Sequence, residues 1–443
     1  MTPISPEATS SSDGQSPTSS QPYSADSSRR QSINSGLSAS TSSAHSTSTT
    51  KSNRSFASLM NPKSWTKKRS SSPVKMARLE AKYGRYVKPP QHASNKDSGA
   101  TSKKNIASGA TAVIRLVKNP STGVILAVKE FKKRGRQEDK RDYRKRMNNE
   151  YCISKIASGH VNIVETLDLV LDERERWCTV MEYCAGGDVF NLLAQRTINI
   201  TTMDRHCLFK QLLTGLEHLH KLGIAHRDIK PENLVLTSRG TLKIADFGVA
   251  DVVQNDYQTE TQLCYKWCGS EPFWSPEVWA LCSELSPYDG RALDVWSAAI
   301  TFFCIRFGRL PFSNAFYNNN GRPIAVPRGA KQGSPAAVSA QAADGGDRDY
   351  GIYCKQRQTI GPLNCEVWKM LEPNQPDTGH ILSEEERTCL AGMLDPNPKT
   401  RWTIKQALES TWIEGVEMCH DGDLPNGWRH HHCVPTLNLS HSK

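Results

Sequence analysis

His226-Arg227-Asp228-Ile229-Lys230-Pro231-Glu232-Asn233, with Asp246-Phe247-Gly248 thirteen residues further on, decides the fold. It places Asp228, Asn233 and Asp246 close together in the chain. One carboxylate can take the proton of an attacking hydroxyl. An amide oxygen and a second carboxylate can hold Mg²⁺ against phosphate oxygens. Phosphoryl transfer asks for little else, because it runs on positioning and charge stabilisation. Either short string alone carries little information. Both together, with Lys230 and Asn233 in register, are specific.

Upstream the pattern is β-type. Val113–Val117 and Val124–Val128 are apolar, β-branched runs around Asn119-Pro120-Ser121-Thr122-Gly123, which predicts a hairpin. A charged stretch, 132–146, leads into a helical pattern with Tyr151, Ile153 and Ile156; strands are expected at 163–170 and 177–182. From about 203 the spacing of Leu208, Leu212, Leu216 and Leu219 predicts a helix. Val295–Phe307 is apolar all round and too short to span a bilayer, so it reads as a buried core helix. Residues 316–346, rich in Asn, Gly, Ala and Pro, read as an inserted surface loop.

The chain has 443 residues and a net charge of +11. Residues 51–104 alone carry +12, so the body behind them is neutral. A neutral body with a basic strap gives no reason to expect nucleic acid. The strap could meet an anionic membrane surface, serve as a nuclear address, or keep the preceding tail extended. Residues 1–75 hold 25 Ser and 8 Thr and few apolar side chains, the composition of a disordered segment. Ser5, Ser16 and Ser72 precede prolines and Ser32 follows two arginines, so phosphorylation would add charge beside the strap; a plain solvated tail is the alternative. No signal segment or spanning run is evident, and a cytoplasmic protein is expected. Thirteen scattered cysteines read as free thiols. Cys419, His420 and His430-His431-His432-Cys433 could ligate zinc, but their spacing matches no usual finger, and a surface His run is the preferred reading.

The chain resembles the eukaryotic protein kinase superfamily over roughly 83–415, which implies an α+β bilobal fold: a small antiparallel-sheet lobe and a large helical lobe with ATP between them. The expected division is a Ser/Thr-rich basic regulatory tail, 1–82, the catalytic domain, 83–415, and a C-terminal tail, 416–443. On this resemblance Asp228 takes or orients the substrate proton and Lys230 screens the transferred phosphate. Lys129 contacts the nucleotide phosphates and pairs with Glu150, Glu138 being the other nearby candidate. Asn233 and Asp246 hold Mg²⁺. Ala107-Ser108-Gly109-Ala110-Thr111-Ala112-Val113-Ile114, with Arg115, corresponds to the Gly-rich loop over ATP but keeps only its middle glycine. Met181 guards the back of the pocket, Glu182 to Cys184 form the adenine hinge, and Asp188 reaches the ribose.

The same resemblance assigns 246–277 to the activation segment and pairs Glu277 with Arg401. Ser275 replaces the usual alanine, and Asp294 begins the helix that anchors the catalytic loop. Ser270, bonding Asp228 and Lys230, points to Ser/Thr substrates. Glu232 and Asp188 match positions that select an arginine before the phosphoacceptor; ribose binding alone, and a solvent-exposed Glu232, are the plain alternatives. Lys266 stands where many relatives carry an activating phosphothreonine, leaving Thr259, Thr261 and Tyr265 as other sites. Arg227 would then face an acid such as Glu260. Ile106–Ala112, Cys184–Asp188, Phe247–Asp251 and Gly269–Pro272 are similar to the fungal halotolerance and nitrogen-permease-reactivator type kinases, implying plasma-membrane transporters or their regulators downstream and a peripheral plasma-membrane position. A catalytically silent scaffold is the competing class, on the strength of the altered loop.

Overall fold

The structure is a computed structural model, and it describes residues 76–89, 105–109, 111–136, 138–194, 200–254, 260–281, 283, 285–318, 345–370, 382–427, 429, 430 and 432. Helix α1 (Leu79–Tyr83) and strand β1 (Tyr86–Val87) precede the first expected strands. Order therefore starts before residue 83, because Leu79 and Tyr83, one helical turn apart, both bury against Val117, Val128, Val170 and Val180.

Strands β2 (Asn105–Ser108), β3 (Ala112–Lys118), β4 (Ile125–Phe131), β5 (Thr166–Leu171) and β6 (Trp177–Glu182) form an antiparallel sheet with β1, in the order β1-β3-β4-β6-β5, with β2 also on β3. The β3–β4 turn is pinned by the Asn119 carboxamide, which accepts from the amides of Ser121 (2.9 Å) and Thr122 (3.3 Å). Helix α2 (Lys140–Ala157), capped by Asp139, packs beside the sheet through Tyr143 and Met147.

The second lobe is helical. β7 (Gly187–Asp188) and α3 (Val189–Ala194) lead to α4 (Thr202–Lys221), opened by a Thr201/Asp204 capping box. β8 (Ile224–Ala225), the hairpin β9 (Leu234–Leu236) and β10 (Leu242–Ile244), and β11 (Asp251–Val252) lie across its top. After the short α5 (Pro276–Trp279) comes α6 (Gly290–Phe307), the core helix, buried along almost its whole length. The rings of Phe209, Phe302 and Trp412 cluster against it, one pair stacked and the others tilted or edge-on, with centroids 4.7–5.6 Å apart. A Cβ on Gly290 would lie 2.8 Å from that of Ala225, so only glycine lets α6 approach β8 this closely.

Of the expected insert, the stems pair as β12 (Tyr317–Asn318) with β13 (Gly345–Gly346); residues 319–344 lie outside the described residues. The helices α7 (Arg348–Thr359), α8 (Glu384–Met393), α9 (Ile404–Leu408) and α10 (Thr411–Glu414) complete the lobe. The segment after 415, expected as a tail, returns to α4: Cys419 packs on Cys207 with Leu424 alongside. Among the described residues no helix is long and apolar enough to cross a membrane.

Candidate active site

The β9–β10 hairpin assembles the centre. Its register sets Leu234 opposite Ile244, so Asn233, just before one strand, meets the segment just after the other; the Ala245 amide donates to the Asn233 carbonyl at 2.9 Å. Asp246 follows with φ +65° and Arg227 has the same φ. Such backbone costs on the order of 1–3 kcal/mol at a non-glycine residue and persists only when its surroundings enforce it. The enforcement is visible at Asp294. Its fully buried carboxylate accepts from the amides of His226 (2.8 Å) and Arg227 (2.7 Å) and faces His220 Nε2 at 3.0 Å.

Asp228 is held on several sides. Its Oδ1 accepts from Ser270 Oγ (2.9 Å), and its Oδ2 from Asn233 Nδ2 (3.0 Å), with Lys230 Nζ 3.1 Å away. Lys230 Nζ also donates to Ser270 Oγ at 2.6 Å. Gly269 makes this closure feasible. Its φ is +81°, and a Cβ there would come within 2.4 Å of the Arg227 carbonyl.

Across the cleft, Lys129 of β4 donates to Glu150 of α2 and, at 2.8 Å, to Asp246 Oδ1. Burial disfavours the Lys129 ammonium, but Asp246 and Glu150 outweigh it and raise its pKa above the ordinary lysine value. Glu138 lies elsewhere, paired with Arg146 at 3.1 Å. Hard oxygen donors are what Mg²⁺ requires. Asp246 supplies a carboxylate. Asn233 spends its Nδ2 on the Asp228 carbonyl (2.7 Å) and Oδ2, leaving Oδ1 as the atom able to hold a cation. The residues therefore fit the ion.

The loop at 107–115 is closed by the Gly109 amide on the Ala112 carbonyl (2.9 Å), and Lys132 Nζ donates to the Gly109 carbonyl (2.6 Å). A Cβ on Gly109 would meet nothing closer than 3.9 Å, so this glycine is not forced by the protein itself. Ala107 and Ser108 pair with Ile114 and Val113, and Ile114 sits opposite Lys129. Strand alternation puts Val113 and Arg115 on the other face. Arg115 points to Glu130 (3.4 Å) and the Tyr86 ring, away from Lys129, which corrects its expected role at the nucleotide. Ala110 lies outside the described residues.

Met181 and Glu182 end β6, and Glu182 receives Lys243 Nζ at 2.8 Å. Burial pushes the Cys184 thiol up to about 12, so it stays neutral. Asp188 accepts from the amide and side chain of Asn191, both at 2.7 Å, and so also caps α3. Burial nevertheless raises its carboxyl above the ordinary range. Glu232 is half-buried, so the solvent-exposed alternative does not hold.

Arg227 donates to the Val249 carbonyl (2.8 Å) and Tyr288 hydroxyl (3.1 Å); the acid it faces is Asp251, at 3.5 Å, in place of the expected Glu260. Lys266 adopts φ +68°. Thr261 Oγ1 accepts from Arg291, Tyr265 is exposed, and Thr259 lies outside the described residues. The described cysteines are free thiols.

Residues 100–413 match the protein kinase domain family. The chain is 32% identical over 323 residues to "Serine/threonine-protein kinase hal4" of Schizosaccharomyces pombe, covering 72% of this chain and 44% of that protein. It is 31% identical to the "Nitrogen permease reactivator protein" of Saccharomyces cerevisiae, over 76% of this chain and 42% of the relative. It is 34% identical to "Serine/threonine-protein kinase HAL4/SAT4" of the same yeast, over 67% and 42%. The chain thus spans less than half the length of these curated relatives.

Proposed function

The chain belongs to the protein kinase family, and from that premise we propose that it transfers the γ-phosphoryl group of Mg-ATP to serine or threonine of protein substrates. The observation that carries this is the grip on Asp228 by Ser270, Asn233 and Lys230, beside an intact Lys129–Glu150–Asp246 chain. Asp228 orients the substrate hydroxyl and receives its proton. Ser270 aligns the carboxylate for that task, and Lys230 offsets charge on the phosphoryl group in flight. Lys129, kept cationic by its two acids, aligns the nucleotide phosphates. Asn233 and Asp246 hold Mg²⁺, which neutralises charge on the phosphate oxygens when bound. Ala107, Ser108, Gly109, Thr111, Ala112 and Ile114, with Met181, Glu182, Cys184 and Asp188, enclose the nucleotide, while Val113 sits on the other face of β3 with Arg115. A silent scaffold has no need of this full set.

The relatives' names support regulation of transporters as the setting, with plasma-membrane transporters or their regulators as partners. Glu232 and Asp188 favour substrates with an arginine before the acceptor. Because Leu79 and Tyr83 are buried in the sheet lobe, the regulatory tail of this cytoplasmic enzyme is the chain ahead of α1 in place of the whole of 1–82, and the basic residues of 51–104 outside α1 and β1 attach it to anionic membrane.

The test is phosphate transfer to an arginine-directed Ser peptide library by the native chain and by Asp228→Asn. Transfer by the native chain that the variant loses, with both binding ATP, supports the reading. ATP binding without transfer by either, across activating partners, sinks it. Liposome sedimentation with and without residues 1–75, a deletion that leaves α1 and β1 in place, tests the membrane arm, where binding must fall with salt.

A further inference from the structure

Four side chains that the active site does not use meet beneath the C-terminal segment: Cys207 of α4, with Cys419, His430 and His432. All four are more than nine-tenths buried, and their ligand atoms lie within 4.8 Å of one another. The expected surface His run is therefore not what forms. His430 and His432 turn inward, while His420 is exposed and His431 and Cys433 lie outside the described residues.

Three successive spacings match edges of a coordination tetrahedron, and the other three are no longer than 4.8 Å. Cys207 Sγ and Cys419 Sγ are 3.6 Å apart, Cys419 Sγ and His432 Nε2 3.8 Å, and His432 Nε2 and His430 Nδ1 3.3 Å. A tetrahedral ion with Zn–S near 2.3 Å and Zn–N near 2.05 Å sets those edges at about 3.8, 3.6 and 3.3 Å. A second observation concerns what faces the sulfurs. Gln211 Oε1 accepts from Asn162 Nδ2 (3.2 Å) and the Leu242 amide (2.8 Å), which fixes the orientation of its carboxamide. Its NH₂ is then obliged to donate to Cys207 Sγ (3.3 Å) and Cys419 Sγ (3.5 Å). The Cys419 amide also donates to Cys207 Sγ at 3.4 Å. N–H groups converging on two sulfurs are the outer shell of metal-bound thiolates.

We propose that Cys207, Cys419, His430 Nδ1 and His432 Nε2 bind one zinc ion, which fastens the segment 419–432 to helix α4. Four protein ligands leave no open position, so the ion is structural. It ties the segment 419–432 to the helix whose Gln211 also holds the Leu242 amide, at the turn end of the β9–β10 hairpin, whose open end carries Asn233 and Asp246.

The test uses the full chain, purified without a metal-affinity step from zinc-supplemented cells, with metal counted by plasma mass spectrometry. One zinc per chain is expected, falling to background in Cys207→Ser and in His432→Ala and unchanged in His420→Ala. Because those two variants could unfold, the native chain is read independently. Zinc should protect Cys207 and Cys419 from alkylation until a chelator is added, and cobalt exchanged into the site should give tetrahedral visible bands with a thiolate charge-transfer band. A native chain without stoichiometric zinc that fails to take up added zinc or cobalt overturns the proposal, as does full zinc retention in folded Cys207→Ser. None of these readouts depends on phosphate transfer.

Discussion

Glu277 and Arg401 stand 124 residues apart in the chain and meet in a two-pronged ion pair, Oε1 on Nη1 and Oε2 on Nη2, both at 2.7 Å. The guanidinium is fully buried, gives a further bond to the Ala292 carbonyl (2.9 Å) and lies over the Trp296 ring. Replacing Glu277 with alanine strands that charge and should cost about 3–5 kcal/mol, read as a lower midpoint in urea unfolding. Arg401→Lys should recover only part of the loss of Arg401→Ala, because an ammonium cannot present the planar fork.

Asp294→Asn should loosen the segment 226–228. A carboxylate offers each of the His226 and Arg227 amides its own oxygen, whereas a carboxamide offers one oxygen and turns an N–H toward the other donor. One buried amide is then orphaned, at roughly 1–3 kcal/mol. A lower melting temperature together with faster amide exchange confined to 226–228 is the expected result. An unchanged exchange pattern would sink the clamp.

Ser275→Ala should stabilise. The hydroxyl is fully buried and its Oγ has no hydrogen-bond partner among the described residues. Removing an unsatisfied polar atom without changing the packing should raise stability by about 1 kcal/mol in equilibrium denaturation.

Acid should weaken the large lobe through Glu386. Its carboxylate is largely buried, which alone would raise its pKa. The facing His206 ring (3.0 Å) and the Ser383 amide (2.7 Å) outweigh burial and hold it below the ordinary glutamate value. A carboxyl with a depressed folded-state pKa stabilises above its unfolded value and loses that contribution as pH falls through the folded one. Glu386→Gln, which keeps the backbone acceptor, should therefore show a smaller drop in urea midpoint between about pH 7 and about pH 3 than the native chain. Equal drops would count against it.

The candidate active site was legible because its residues sit at fixed offsets in two short segments, 226–233 and 246–248, that a single hairpin brings together. The β3–β4 hairpin and α6 were legible from side-chain periodicity. Period-2 alternation was equally available for Arg115, which the motif alignment nevertheless assigned to the nucleotide; the strand sends it to Glu130. Other features depend on distance in sequence. Cys207 and Cys419 are 212 residues apart, and no local spacing announces their meeting. The early start of order at α1 was hidden because two buried side chains are too few to stand out in a basic stretch.

The β12–β13 ladder brings the two ends of the intervening chain side by side, Asn318 against Gly345. The cost of closing a chain segment between fixed ends grows only as the logarithm of its length. With Asn318 and Gly345 held side by side, adding or removing residues between them should change the stability of the large lobe by little, so the fold itself sets only a weak limit on chain length at this point.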